Sequence, residues 1–455
     1  MIPAAAPAPL PGNPYTPQSG DVSIRVEHYE LTLKYRMQNN RLSGTATLSI
    51  RTTVPLAAFS LDLVGLRASK VNVRGDKQAR FSQSDRKLKI SLSKRIEAGR
   101  DITVDVVYEG APRPRRSRWG TIGWEELEDG VIVASQPTGA PTWFPCNDHP
   151  ANKASYRIQV SVDRNYDVVA TGQLRSKRST GGLTTWVYEE AAPTASYLVT
   201  LQIGRYRRED VQLAGVASHL HYPPALARRV GTDFADLAKM MGTFELTFGP
   251  YPFDTYAVIV TADELEIPLE AQGMAIFGAN QIDGARGQER LVAHELAHQW
   301  FGNSVGVAGW QHIWLNEGFA CYAEWIWSEA SGAETADQLA RHYWQALAAL
   351  PQDVLLGDPG AADMFDDRVY KRGALTLHAL RLTVGDTAFF EILITWTHTK
   401  RSSVASTAEF LEHAAARVPE LPLQELFDAW LYQLALPDLP PVTPARAARS
   451  PRERA

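Results

Sequence analysis

The sequence predicts a multidomain α+β protein, with an N-terminal antiparallel β-sandwich-like domain followed by a mainly helical domain. Three observations predict it. The chain has 455 residues, more than one ordinary core organises and enough for two domains. Apolar residues recur with period two through the first half, and from Gln288 onward they recur with helical spacing.

The segment 1–20 (MIPAAAPAPLPGNPYTPQSG) has no basic n-region and is broken by prolines, so it reads as a flexible leader and not as a secretory signal. The β domain is expected over 21–205. Tyr29, Leu31, Leu33 and Tyr35 alternate, Asn39-Asn40 supplies a turn, and Ala46, Leu48 and Ile50 alternate again, which predicts a hairpin with one buried face. Leu88-Ile90-Leu92, Val104-Val106-Tyr108 and Tyr156-Ile158-Val160-Val162 continue the pattern between Gly-, Asn- and Asp-bearing turns.

The helical domain is expected over 206–438. Ser406 and Glu409 have the spacing of a capping box opening a helix through Phe410 and Leu411, and Leu423 to Leu434 reads as an amphipathic helix. Residues 439–455, rich in proline and arginine, are expected to be disordered. The basic run Arg113-Pro114-Arg115-Arg116-Ser117-Arg118 and the tail arginines Arg446, Arg449, Arg452 and Arg454 read as solvated loops.

Composition excludes several classes. No apolar run approaches the ~18 residues that span a bilayer. The formal net charge of -5, without a clustered positive face, argues against nucleic acid. Two cysteines, Cys146 and Cys321, cannot build a disulfide framework, so a cytoplasmic protein is expected, or a secreted one if an export signal has been removed from ahead of this sequence; a monomer is expected as well.

The chemistry lies in Leu291-Val292-Ala293-His294-Glu295-Leu296-Ala297-His298-Gln299-Trp300. Positions i and i+4 share a helix face, so His294 and His298 can reach one ion at about 2.0–2.1 Å, and two imidazoles plus a carboxylate suit a single zinc. Glu295 then stands beside the water that fills the open position, as general base. The segment Trp314-Leu315-Asn316-Glu317-Gly318-Phe319-Ala320 offers the carboxylate, Glu317, from a second helix. A chance match in a core helix would explain the first segment alone, but not the pair.

The motif HELAHQWFGN at 294–303 followed by WLNEGFA at 314–320 resembles the aminopeptidase N and leukotriene-hydrolase family of gluzincin zinc peptidases. Gln136-Pro137 and Trp143-Phe144-Pro145-Cys146-Asn147-Asp148 extend the likeness into the β domain, and the family's large C-terminal helical domain has no counterpart here. The resemblance implies a thermolysin-like catalytic domain with His294, His298 and Glu317 on zinc and Glu295 moving the proton. It further implies that Tyr370, in Val369-Tyr370-Lys371-Arg372-Gly373-Ala374, donates to the developing oxyanion, and that the substrates are peptides with a free N-terminus. Without the family, Tyr370 would be an ordinary aromatic at a helix start.

An aminopeptidase must also hold an α-ammonium, which a carboxylate at the end of a closed pocket does. The family uses the glutamate of a Gly-x-Met-Glu-Asn motif. Here Ile267-Pro268-Leu269-Glu270-Ala271 stands in its place, so the likeness assigns Glu270 as anchor with Gln136 as a second acceptor, and the active site is expected where these two meet the zinc. Glu264 and Glu266 are rivals better read as surface residues. Gly309 and Gln311 stand where the family often has acids; His312 and Glu324 are candidates to support the zinc ligands. The rival readings are a zinc endopeptidase of the same fold and a peptide-binding module with a retained zinc site.

Overall fold

The computed structural model describes residues 7–441. The expected hairpin is its central feature. Strands β1 (Ile24–Arg36) and β2 (Arg41–Thr52) are joined by a single 3-10 turn, Met37–Asn39, which Asn40 closes at φ 46°, a left-handed conformation that asparagine tolerates. Tyr29 faces Leu48 and Leu31 faces Ala46, all on the buried side.

The β-rich part continues with β3 (Leu56–Asp62), β4 (Arg67–Val73), β5 (Arg80–Gln83), β6 (Lys87–Ile96), β7 (Asp101–Gly110), β8 (Arg115–Ser117), β9 (Gly120–Leu127) and β10 (Gly130–Ala134). It is completed by β11 (Lys153–Asp163), β12 (Asp167–Ala170), β13 (Gln173–Thr180), β14 (Leu183–Ala195) and β15 (Leu201–Gly204). A seven-stranded sheet runs β13-β14-β11-β1-β2-β7-β4, a five-stranded one β12-β15-β10-β9-β8, and a three-stranded one β3-β6-β5. Their inner faces share one hydrophobic core.

The large sheet departs from the expected pairing in one place: β1 and β11 run parallel. Period-two alternation fixes which face a residue takes and carries no information on the direction of a partner distant in the chain. The segment Pro145–Asn152 ties this part together. Cys146 exchanges two backbone hydrogen bonds with Asp62, and the Asn147 amide accepts from Asp21 N at 2.6 Å while donating to Asn152 Oδ1 at 2.8 Å.

Two local expectations change. Leu10, Asn13, Tyr15 and Thr16 are buried and the Pro11 carbonyl accepts from His149 Nε2, so residues 7–20 are a packed strap and not a flexible leader. A proline-rich extended segment buries side chains without any periodicity to announce it. Within the arginine run, Arg115–Ser117 is an edge strand and not loop, and Arg115 is only half-exposed. The positions 1–6 of the expected leader, and 442–455 of the expected tail with its four arginines, lie outside the described residues.

The stretch after 205, assigned by periodicity to the helical half, first forms five strands: β16 (Arg207–Leu213), β17 (Val216–Tyr222), β18 (Thr255–Val260), β19 (Leu269–Ala271) and β20 (Met274–Phe277), in the order β16-β17-β18-β20-β19. β18 and β20 are buried on both faces and therefore show no alternation to read. Helices α1 (Ala227–Asp233) and α2 (Leu237–Phe248) interrupt them.

From residue 289 the chain is mainly helical, as expected, with α3 (Glu289–Ala297), α4 (Trp314–Ser331), α5 (Ala336–Ala348), α6 (Asp367–Val384), α7 (Asp386–Thr399), α8 (Thr407–Ala415) and α9 (Leu423–Tyr432), and one parallel strand pair, β21 (Val305–Val307) with β22 (Ser403–Ala405). The Ser406/Glu409 capping box is formed in both directions. Arg372 closes the C-terminal end of α9, where its guanidinium donates to the carbonyls of Trp430, Gln433 and Leu434 and so satisfies acceptors in the last turn and just beyond it.

The chain divides into two compact units. One holds the described residues up to Asp210 with His219–Ala227 and Phe253–Asn280; the other holds Val211–Ser218, Arg228–Pro252 and the described residues from Gln281. No helix among the described residues is long and apolar enough to cross a membrane.

Candidate metal centre

His294 lies in the last turn of α3 and His298 is its C-terminal cap, still in helical conformation, so one turn brings the two rings edge to face with centroids 4.8 Å apart. Glu317 sits in the first turn of α4. Its Oε2 lies 3.5 Å from both His294 Nε2 and His298 Nε2. Ligand atoms about 2.0–2.1 Å from one tetrahedral ion stand roughly 3.3–3.5 Å apart, so this spacing fits zinc.

Partners on the far side of each ring set the tautomers. His294 Nδ1 is 2.7 Å from Glu324 Oε1, and His298 Nδ1 is 3.0 Å from the Phe301 carbonyl. A carboxylate and a carbonyl can only accept, so both Nδ1 atoms carry a hydrogen and each ring turns Nε2 towards Glu317, free to hold a metal ion there once any proton on it is displaced. That is the form in which imidazole binds a metal.

Electrostatics favour a cation here. Burial opposes ionisation of Glu317, yet the facing His298 and His294 rings hold its carboxyl down at about 2. Burial likewise opposes a charge on His294, but Glu317 and Glu324 draw its imidazole up to about 9. All four side chains are nine-tenths or more buried. Glu295, between the two histidines in sequence, is buried with them.

Glu324, a candidate from its helical spacing, proves to orient His294. It is itself gripped through both oxygens by Arg290 Nη1, at 3.0 and 2.9 Å. Arg290 escaped the sequence reading, although it stands one turn before His294 on the same face. His312 does not support the ligands; it hydrogen-bonds Thr407 at the start of α8, 3.1 Å away.

Tyr370 lies in the first turn of α6, and its ring runs within 16° of parallel to that of His294 with centroids 6.0 Å apart. A glycine pair brings these helices together. A Cβ on Gly318 would come 2.8 Å from Gly373 Cα, and one on Gly373 would come 2.7 Å from Gly318 Cα. The backbones of α4 and α6 touch there, immediately after Glu317 and three residues after Tyr370.

In the first unit, Gln136 and Glu270 are brought together: Gln136 Nε2 donates to Glu270 Oε1 at 2.6 Å. Glu270 lies on β19 opposite Ala275 of β20, and both partners of the pair are half-buried. The rivals Glu264 and Glu266 are exposed.

Two family profiles match the chain: the Peptidase M1 N-terminal domain over residues 25–198 and the Peptidase family M1 domain over residues 233–430. A solved M1 zinc metallopeptidase from Deinococcus radiodurans, in a variant bound to a Tyr-Ser-Ala substrate, is 30% identical with a TM-score of 0.87, covering 95% of this chain and 99% of its own. Probable aminopeptidase 2 of Sulfurisphaera tokodaii is 26% identical over 442 residues, which is 90% of this chain and 53% of that protein. Leukotriene A-4 hydrolase of Xenopus laevis is 25% identical over 66% of this chain and 51% of its own length. The chain thus spans about half the length of these two relatives. With the metal-competent histidine tautomers, the converging Glu317 and matches across both units, the chain belongs to peptidase family M1, the M1 zinc metallopeptidases.

Proposed function

We propose that this chain is a zinc-dependent aminopeptidase that hydrolyses the N-terminal peptide bond of peptides. The observation that carries the reading is the convergence of His294 Nε2 and His298 Nε2 on one oxygen of Glu317, with Glu295 buried beside them. A purely structural metal site has no use for Glu295, which counts against the reading as a binding module.

His294, His298 and Glu317 hold one zinc ion. Zinc bound there supplies Lewis-acid activation of a water and of the scissile carbonyl. Glu295 takes a proton from the attacking water and returns it to the departing amine nitrogen. Tyr370 donates its hydroxyl hydrogen to the carbonyl oxygen as that oxygen gains charge, a contribution realised only in the transition state.

Glu270 receives the substrate's α-ammonium. Because Gln136 spends its Nε2 on Glu270, its amide oxygen is left to accept from the same ammonium, and a substrate without that charge forgoes the charge-assisted contact with Glu270. We further propose a monomer and a cytoplasmic setting, the latter supported by the buried, thiol-form Cys146 and Cys321.

The test is hydrolysis of aminoacyl chromogenic amides, free and N-acetylated, by the zinc-loaded chain and by Glu295→Gln. Cleavage of free amides alone, reduced about 10³-fold by the substitution with zinc retained, is the expected outcome. Equal cleavage of acetylated substrates would make the chain an endopeptidase.

A further inference from the structure

The arginine run that the sequence analysis set aside as a solvated loop forms a constellation in the first unit. Arg115 and Arg116 line two adjoining depressions, one of about 400 Å³ that also receives Arg67 and Arg113, the other of about 330 Å³ that also receives Arg86 and Arg118. Four of the six, Arg86, Arg113, Arg116 and Arg118, form no ion pair among the described residues. Arg67 has only the exposed Asp85, at 4.0 Å. Such a surplus on a chain of net charge -5 runs against the overall charge balance.

Arg115 is fixed and not simply solvated. Its Nη2 donates to Thr138 Oγ1 and to the Thr138 carbonyl, the latter at 3.3 Å, while its Nε is buried with no hydrogen-bond partner. Burial first, and then the neighbouring Arg86, lower its pKa from the usual value, while the Asp148 and Asp62 carboxylates offset part of the fall; Arg115 and Arg86 are thus like charges held close together. Arg118 lies over the Trp119 ring at 5.7 Å. Repulsion among guanidinium groups held this close is a cost that a bound anion relieves.

We propose that the Arg115–Arg116 ridge with its two depressions binds a small polyanion bearing tetrahedral phosphate or sulfate esters. Volumes of a few hundred Å³ are those of small-molecule sites and not of a protein-docking face. Guanidinium forks match tetrahedral oxyanions through paired hydrogen bonds, and two depressions on either side of one ridge suit a ligand with several such groups. This site is independent of the proposed peptidase reaction.

Calorimetric titration of the zinc-loaded full chain with myo-inositol hexasulfate, a weak metal ligand, tests the proposal, with myo-inositol hexaphosphate as a second arm. One saturable site per chain is expected for at least one of them, and the tighter of the two names the ester. Arg86→Gln with Arg116→Gln should weaken binding about tenfold or more, whereas Arg164→Gln with Arg178→Gln, an equal charge change elsewhere in the unit, should alter it less than about twofold. All four arginines are exposed, so both double variants are expected to fold. Absence of saturable binding to either ester would overturn the proposal, as would equal weakening by the two double variants. N-acetylated, amidated hexa-aspartate binding as tightly as the esters to the unaltered chain would also overturn it, without relying on any substitution.

Discussion

The proposed metal centre and the proposed amine anchor are built in opposite ways. His294 and His298 converge because one turn of α3 places them there, and Glu317 needs only the first turn of a second helix. Gln136 and Glu270 are 134 positions apart, and a strand pairing and a loop bring them to 2.6 Å. The first arrangement is encoded in local spacing. The second exists only through long-range packing, so its geometry should be the more easily lost.

Four experiments break or sharpen this contrast. His298→Ala should abolish it on the metal side: two remaining ligands do not hold zinc as three do, so metal content after dialysis should fall close to zero and activity with it. Zinc kept at full stoichiometry would mean that the ligand set is wrong.

On the anchor side, Glu270→Ala should lower kcat/KM for free aminoacyl amides about 100-fold, corresponding to loss of a charge-assisted contact of roughly 1.5–3 kcal/mol. Gln136→Ala should cost less, because it removes a neutral acceptor. The anchor assignment fails if Glu270→Ala leaves the preference for free over acetylated substrates intact.

Glu324→Gln tests whether the metal side, too, depends on a longer-range contact. The amide is a weaker acceptor for His294 Nδ1–H and a poorer partner for Arg290, and zinc affinity measured by competition with a chelator should fall about 10-fold or more. An unchanged affinity would reduce Glu324 to a packing role.

The smallest effect is expected from Gly318→Ala. The added methyl forces α4 from α6 where their backbones meet, at a cost of about 1–3 kcal/mol read as a lower Tm. Because Glu317 precedes and Tyr370 lies on the facing helix, kcat should fall more than zinc affinity does. A loss of stability with unaltered kcat would show that the crossing holds the fold without setting the site.

Legibility followed the same divide. His294, Glu295, His298 and Glu317 could be named from spacing, and Glu324 from its place one face along α4. Arg290 was equally local and was overlooked because an arginine at a helix start has an ordinary surface explanation. The buried strands β18 and β20 and the packed strap at 7–20 carried no periodicity, so no local pattern revealed them. Arg372 in its cap on α9 was invisible because its acceptors are backbone carbonyls, which every residue has.

The sequence by itself determined the alternating faces of β1, β2, β7 and β11, the capping box at Ser406 and the zinc-competent spacing on α3, since each depends on periods of two or 3.6 residues that neighbours in the chain define. The tertiary structure alone decided the parallel pairing of β1 with β11, the contact of Gly318 with Gly373, the meeting of Gln136 with Glu270 and the approach of Arg67 and Arg86 to the arginine run at 113–118. In each of these the partners are remote in the chain, and only the packing of whole elements selects which remote residues become neighbours.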